Sequence, residues 1–72
     1  MEFKNVLWNK RMELARTEKG WSQQDAAEKL GVPTTTYGRW ERGRNKPIAS
    51  HKKSIQKLYN PHKIFDEEVT HQ

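Results

Sequence analysis

The sequence predicts an all-α fold, a compact bundle of four to five short helices. Apolar residues recur at helical spacing, and glycines and prolines divide the 72 residues into short segments. β-branched residues are few, and no segment alternates between apolar and polar residues over five or more positions. The chain contains no cysteine, so neither a disulfide nor a thiolate metal site is expected. A single domain this small depends on helix packing for its stability.

The first predicted helix runs from Phe3 to Lys19. Trp8, Met12 and Ala15 are spaced at i, i+4 and i+7, which places them on one face of that helix. Gly20 follows, and glycine readily adopts the left-handed conformation that ends many helices. We therefore expect helix 1 to bury this face and to end at Gly20.

The second predicted helix covers Gln23–Leu30. Ser22 precedes it as an N-cap, and Asp25 comes three residues later, in the spacing of a capping box. The acid in the first turn also suits the helix dipole. Gly31 is expected to end this helix in a left-handed conformation.

The third predicted helix covers Thr34–Arg42. Pro33 fixes its own φ at a value suited to a helix start and disfavours helical geometry at the residue before it. Tyr37 and Trp40, at i and i+3, are expected to face the core. Gly43 ends the helix.

A fourth helix is predicted over residues 48–59, with its apolar side formed by Ile48, Ile55, Leu58 and Tyr59. Asn60-Pro61 then interrupts the helix. Two interpretations of residues 61–72 remain open, a short fifth helix or a flexible tail. Within this segment, Ile64 and Phe65 are candidates to close the core beneath helices 1 and 4.

The net charge is +5 and the pI about 9.8, which indicates an anionic partner. Residues 1–33 carry six basic and five acidic side chains, residues 34–63 eight basic and one acidic, and residues 64–72 three acidic ones. The three net charges are therefore +1, +7 and −3. The alternative is a solvated basic face with no partner.

The sequence lacks the patterns that are typical of membrane proteins, metal-binding proteins and enzymes. No apolar run approaches the roughly 20 residues that span a bilayer, and no signal-peptide pattern is present, so we expect a cytoplasmic location. His51, His62 and His71 lack metal-ligand spacing, and no cofactor is expected. No nucleophile, base and orienting group fall at a recognisable spacing, so we do not expect an enzyme.

Helices 2 and 3 are separated by a glycine and about three residues, which is the spacing of a helix-turn-helix motif, here about residues 22–42 of one domain spanning 1–72. Ala27 is small where the two helices would cross, Gly31 would turn the chain, and Val32 would fill the angle between the helices. With its inner side packed, helix 3 is expected to present outward the residues Thr34, Thr35, Gly38 and Arg39.

Four short patterns carry a family resemblance: Arg16 ahead of Gly-Trp-Ser-Gln at 20–23, Ala27 four residues after Gln23, Leu-Gly-Val at 30–32, and Trp-Glu-Arg-Gly at 40–43. Together they resemble the lambda-repressor-like (Cro and repressor, or XRE) family over about residues 8–58. One departure is Ala26, where the family usually has leucine. The aromatic pair Tyr37 and Trp40 is also bulkier than the common aliphatic residues.

The resemblance implies that helix 3 is a recognition helix that enters the DNA major groove. Base contacts are implied for Thr34, Thr35 and Arg39. Phosphate contacts are implied for Gln23, Thr36, Arg44, Asn45 and Lys46, and Gln23 would also brace the recognition helix. The alternatives are a capping role for Thr34, a solvated Arg39, an ordinary first-turn Gln23 and diffuse electrostatics for Lys46.

The resemblance also implies that Arg16 and Glu41 form an internal ion pair between helix 1 and the end of helix 3. The expected function is sequence-specific binding of double-stranded DNA by a homodimer, as a phage-type repressor or Cro protein on a pseudo-palindromic operator. The alternative is a modulator, anti-repressor or antitoxin that binds a second regulatory protein. For that role Ile64, Phe65 and Val69 would form a docking segment.

Overall fold

A computed structural model of the chain describes residues 7–65, and these form a bundle of four helices without a strand. The helices are α1 (Trp8–Glu18), α2 (Gln23–Leu30), α3 (Thr34–Glu41) and α4 (Ala49–Tyr59). The all-α prediction is confirmed. Each of these helices is too short and too polar to cross a membrane.

α1 follows Leu7, its N-cap residue, and the predicted start at Phe3 lies outside the described residues. The predicted inner face, Trp8, Met12 and Ala15, is buried. Arg11 is buried as well, which the sequence does not indicate. Its Nη1 donates to the carbonyl oxygen of Lys63 at 2.6 Å, so α1 is tied to the chain beyond α4.

α2 has the predicted bounds because both of its ends are set by local hydrogen bonds. The Asp25 amide donates to Ser22 Oγ and the Ser22 amide donates to Asp25 Oδ2, both at 3.0 Å, which completes the capping box. At the other end Gly31 has φ of 72°. The amide of Val32 then donates to the carbonyl of Ala27 at 3.0 Å, as in a Schellman motif.

α3 ends one residue earlier than predicted, with Arg42 as its C-cap. α4 also begins one residue later than predicted, because Ile48 is its N-cap in extended geometry. The side chain of Ile48 is 66% exposed, so its assignment to the apolar side is wrong. The helical period does not extend to a residue whose backbone is outside the helix.

After α4 the described chain forms turns through residue 65, and the short fifth helix is not present there. The amide group of Gln56 holds this segment: Oε1 accepts from the Ile64 amide at 2.9 Å, and Nε2 donates to the carbonyl of His62. Ile64 is fully buried, and the ring of Phe65 stacks on Trp8 at 6.0 Å between centroids. These two residues close the core, and Val69 lies outside the described residues.

The centre of the bundle is formed by large residues from three helices and the final turn, namely Met12, Tyr37, Ile55, Tyr59 and Ile64, all fully buried. Trp40 meets Tyr37 edge-on at 6.2 Å, and the half-buried Trp21 meets Tyr59 at 6.3 Å. The ammonium groups of Lys19 and Lys29 lie 5.5 and 4.7 Å from the Trp21 ring. Trp21 is therefore part of the packing rather than a free aromatic platform.

Candidate nucleic-acid interface

The outer side of α3 carries short polar side chains and one cation. Thr34, Thr35 and Arg39 are exposed, and Thr36 is half-buried. On the inner side Tyr37 is fully buried and Trp40 is 3% exposed, so the helix is fixed to the core by its aromatic residues. The predicted division of α3 into an inner and an outer side is therefore present, with one exception.

The exception is Gly38, which was expected to face outward and is buried. A Cβ placed on Gly38 would lie 3.3 Å from Oε1 of Gln23 and 3.4 Å from Nη1 of Arg42. The expectation is wrong because a glycine in the middle of a helix leaves a gap, and side chains from α2 and from the end of α3 lie over it.

Gln23, the first residue of α2, braces α3 directly. Its Nε2 donates to Oε1 of Glu41 at 3.0 Å, and this turns its own Oε1 toward Gly38. The side chain is half-buried. The brace between the two motif helices is thus a feature of the structure, whereas a contact of Gln23 with phosphate stays a prediction.

Glu41 is buried and accepts hydrogen bonds from two other elements. Arg16 of α1 donates to it through Nε (2.7 Å) and Nη2 (3.1 Å), a bidentate arrangement. The hydrogen bond to Glu41 raises the pKa of Arg16 above its usual value. Arg16 Nη1 also donates to the carbonyl of Trp21 at 2.9 Å, and Asn9 Nδ2 donates to the carbonyl of Glu41 at 3.2 Å. One carboxylate thereby joins α1, α2 and α3.

The hydroxyl groups of Tyr37 and Tyr59 form a hydrogen bond inside the core, joining α3 to α4. Burial raises the pKa of Tyr59 to about 12 and that of Tyr37 well above its usual range. Both phenols therefore stay neutral near pH 7, and each keeps a proton available for a hydrogen bond.

Basic side chains from the end of α3 and the following loop surround a polar cleft, lined by Arg39, Arg42, Arg44 and Asn45. Lys46, in the same loop, is exposed. Within residues 7–65 no carboxylate pairs with the guanidinium of Arg39, Arg42 or Arg44. The cleft therefore holds three cations without an acidic side chain between them.

A different cleft is lined by three of the four lysines beyond this loop, Lys52, Lys53 and Lys63, beside Phe65. No residue lines both clefts. The positive charge that the sequence places in residues 34–63 is thus divided between an arginine cleft at α3 and a lysine cleft at α4. The two sets of lining residues are also separate along the chain, since one lies within 39–45 and the other within 52–65.

Arg42 lines the arginine cleft, although its sequence position alone predicted no role for it. The available signal was its position four residues after Gly38, since residues at i and i+4 share a helix face. The part of the chain between residues 7 and 65 holds no cluster of three or more histidine, cysteine or acidic residues suited to a metal ion.

Comparison with known proteins agrees with this geometry. A family profile described as helix-turn-helix matches residues 12–49, more than half of the chain. A prophage-derived protein of Bacillus subtilis (strain 168), named as an uncharacterized HTH-type transcriptional regulator, YonR, is 37% identical over 54 residues. The match covers 75% of this chain and 47% of the relative, so the chain spans about half the length of that relative. No solved structure matches significantly. The chain belongs to the helix-turn-helix family of the lambda-repressor-like (XRE) type.

Proposed function

We propose that this chain is the DNA-reading domain of a transcriptional regulator and acts by placing α3 in the major groove of double-stranded DNA. One observation carries the proposal. α3 is packed onto the core through Tyr37 and Trp40 while Thr34, Thr35 and Arg39 remain exposed on its outer side. The proposed activity is binding, with no catalytic step.

The exposed side chains suit the chemistry of base edges. The major groove is about 12 Å wide and admits an α-helix, and each base pair there presents a distinct pattern of donors and acceptors. A threonine hydroxyl can bond to a base edge, and its methyl group can contact the methyl of thymine. Arg39 can donate two hydrogen bonds to O6 and N7 of guanine. We assign base contacts to Thr34, Thr35 and Arg39.

Residues beside α3 would hold the DNA backbone. Gln23 lies at the start of α2, next to α3, and the loop after α3 exposes several polar and basic side chains. Contacts with phosphate position a protein on DNA without reading its sequence. We assign this role to Gln23, Thr36, Arg44, Asn45 and Lys46.

A homodimer on a pseudo-palindromic operator is part of the proposal. Dimers with this motif bind two half-sites about one helical turn apart, so the symmetry of the protein appears in the DNA. The Bacillus subtilis relative is named as a prophage-derived transcriptional regulator, which supports the proposal of a phage-type regulator. Such a regulator would act inside the host cell, where the DNA is transcribed. Repressor and Cro proteins are the type that the sequence motif resembles most.

The test is selection of duplexes from a random-sequence pool by the purified protein, followed by titration of the enriched duplex. We expect a pseudo-palindrome to be enriched. Arg39→Ala should cost about 1–3 kcal/mol against the enriched site and relax the preference at one base position. Lys57→Ala removes the same charge from the exposed side of α4 and should leave that preference unchanged.

Two results would count against the proposal. One is a pool that stays random after repeated selection. The other is equal loss of selectivity in Arg39→Ala and Lys57→Ala, which would mean that only overall charge matters.

The alternative role, binding a second regulatory protein as a modulator, anti-repressor or antitoxin, receives less support from the fold. The docking segment considered for it includes Ile64 and Phe65, and both pack into the core. A protein partner that is recovered from the source cell after nuclease treatment, together with a random DNA pool, would favour this alternative.

A further inference from the structure

Gly38 is an unusual residue for the middle of a recognition helix. Glycine weakens a helix interior, because it loses more conformational freedom on folding than any other residue. Its φ is not positive, so the backbone does not require glycine there. The remaining explanation for a glycine at this position is the space that a side chain would fill. Gln23 Oε1 and the Arg42 guanidinium occupy that space.

The two occupants reach this space from different helices and are held differently. Gln23 is fixed, since its amide nitrogen is bonded to the buried Glu41. Arg42 is the C-cap residue of α3, and its side chain folds back along the helix until Nη1 and Nη2 lie 3.4 and 3.7 Å from the Cβ position of Gly38. Arg42 in this pose lines the cleft together with Arg39 and Arg44. Arg42 and Arg44 also line a second cleft, whose lining includes Glu13 and Glu41.

Three guanidinium groups beside one cleft repel one another, and no carboxylate of residues 7–65 pairs with any of them. The nearest acid along the chain, Glu41, is already bonded to Arg16 and Gln23. Such an arrangement is stabilised by an anion. Guanidinium groups match the geometry of a phosphate because they donate two parallel hydrogen bonds.

We propose that Gly38 is a positioning residue: its missing side chain leaves a notch for the Arg42 guanidinium, which places Arg42 beside Arg39 and Arg44 to bind a backbone phosphate of DNA. The inference rests on the proposed DNA-binding function and adds a phosphate-binding residue, Arg42, and the feature of α3 that orients it.

The test uses a mixed-sequence DNA duplex, because contacts with phosphate do not depend on the operator. Binding is titrated at several NaCl concentrations with the wild type, Arg42→Ala, Gly38→Leu and the double variant. Arg42→Ala should reduce the slope of log K against log[NaCl] by about 1, the loss of one phosphate contact. Gly38→Leu fills the notch with a good helix former and should cause a similar reduction.

The double variant separates positioning from a direct clash. If Gly38 acts through Arg42, then adding Gly38→Leu to Arg42→Ala should change the slope no further. Gly38→Ala should have a smaller effect, because its Cβ requires Arg42 and Gln23 to move only slightly. Lys57→Ala, with the same net charge as Arg42→Ala, should keep the wild-type slope. Thermal melts of every variant check that the fold is retained.

The inference is overturned if Arg42→Ala keeps the wild-type slope, or if Gly38→Leu weakens binding equally with and without Arg42. In the second case leucine itself obstructs the DNA or displaces Gln23, and Arg42 is not what Gly38 positions. If the wild type shows no salt-dependent binding to any duplex, the proposed function fails, and the inference fails with it. If the wild type shows salt-dependent binding and Arg42→Ala keeps the same slope, the inference about Arg42 is refuted and the proposed DNA-binding function is not.

Discussion

At the scale of single residues, the buried Glu41 joins three helices. Its carboxylate accepts from Arg16 of α1 and Gln23 of α2, and its side chain is only 4% exposed. Removing the carboxylate would leave the Arg16 guanidinium largely buried without its partner. The same side chain orients the Gln23 amide, so stability and the geometry of the proposed DNA-binding side are linked through it.

Glu41→Ala should therefore destabilise the protein strongly. Loss of one partner of a buried pair typically costs about 3–5 kcal/mol, and each kcal/mol lowers the Tm of a domain this size by roughly 4–8 °C. Glu18→Ala is the matched control, since Glu18 is an exposed acid whose contact with His62 lies at the surface, and such pairs contribute up to about 1 kcal/mol. Equal small shifts of Tm in thermal melts of the two variants would contradict this.

The buried tyrosine pair gives a second prediction at this scale. Tyr37→Phe leaves the Tyr59 hydroxyl without its buried partner, which typically costs about 1–3 kcal/mol, and Tyr59→Phe should cost less because the Tyr37 hydroxyl keeps its hydrogen bond with Glu41. The double variant removes both hydroxyls, so its loss of unfolding free energy should be smaller than the sum of the two single losses. Urea denaturation measures all three, and strict additivity would show that the hydroxyl groups do not interact.

At the scale of elements, the start of α2 is fixed by the reciprocal bonds between Ser22 and Asp25. The hydrogen bond from the Ser22 amide lowers the pKa of Asp25 below its ordinary value of 3.8. A carboxyl whose pKa is lowered by folding stabilises the folded state above its unfolded pKa. That contribution is lost as the pH falls through the folded pKa.

We therefore expect Asp25→Asn to lower the Tm at pH 7, and the difference from the wild type to shrink as the pH falls below about 4. Asparagine keeps an oxygen that can accept from Ser22, so the variant removes mainly the charge that favours a helix N-terminus. Thermal melts across this pH range, with Glu28→Gln as a control acid in the same helix, measure the effect. A difference in Tm that is constant with pH would exclude the carboxylate as its source.

At the scale of the whole molecule, the bundle is closed by the chain beyond α4. Ile64 enters the core, Phe65 covers Trp8, and the carbonyl of Lys63 accepts from the buried Arg11. The residues after the helix-turn-helix motif thus hold α1 and α4 together, and through α1 they support the network at the end of α3.

The three isoleucines test this closure with one kind of substitution. Ile55→Ala and Ile64→Ala, both at fully buried positions, should each cost about 2–5 kcal/mol. Ile48→Ala, at a position 66% exposed, should change the unfolding free energy by about 0.5 kcal/mol or less. Urea denaturation gives the three values, and a small cost for Ile64→Ala would show that the segment after α4 does not close the core.

The sequence by itself determined the elements whose causes are local. The bounds of α2 follow from Ser22, Asp25 and Gly31, which act on backbone groups within a few residues of themselves. The inner sides of α1 and α3 follow from helical spacing, which also identified Tyr37 and Trp40 as core residues. Thr34, Thr35 and Arg39 on the outer side of α3 follow from the same period.

The tertiary structure alone decided what depends on residues far apart in the chain. Gly38 is covered because Gln23, 15 positions earlier, reaches across from α2, and the Arg42 guanidinium lies over the same glycine. Arg11 is buried because its partner is the carbonyl of Lys63, 52 residues away. Helical periodicity describes one helix at a time. It predicts which face of its own helix a residue lies on, but it does not predict which side chains from other elements cover that face.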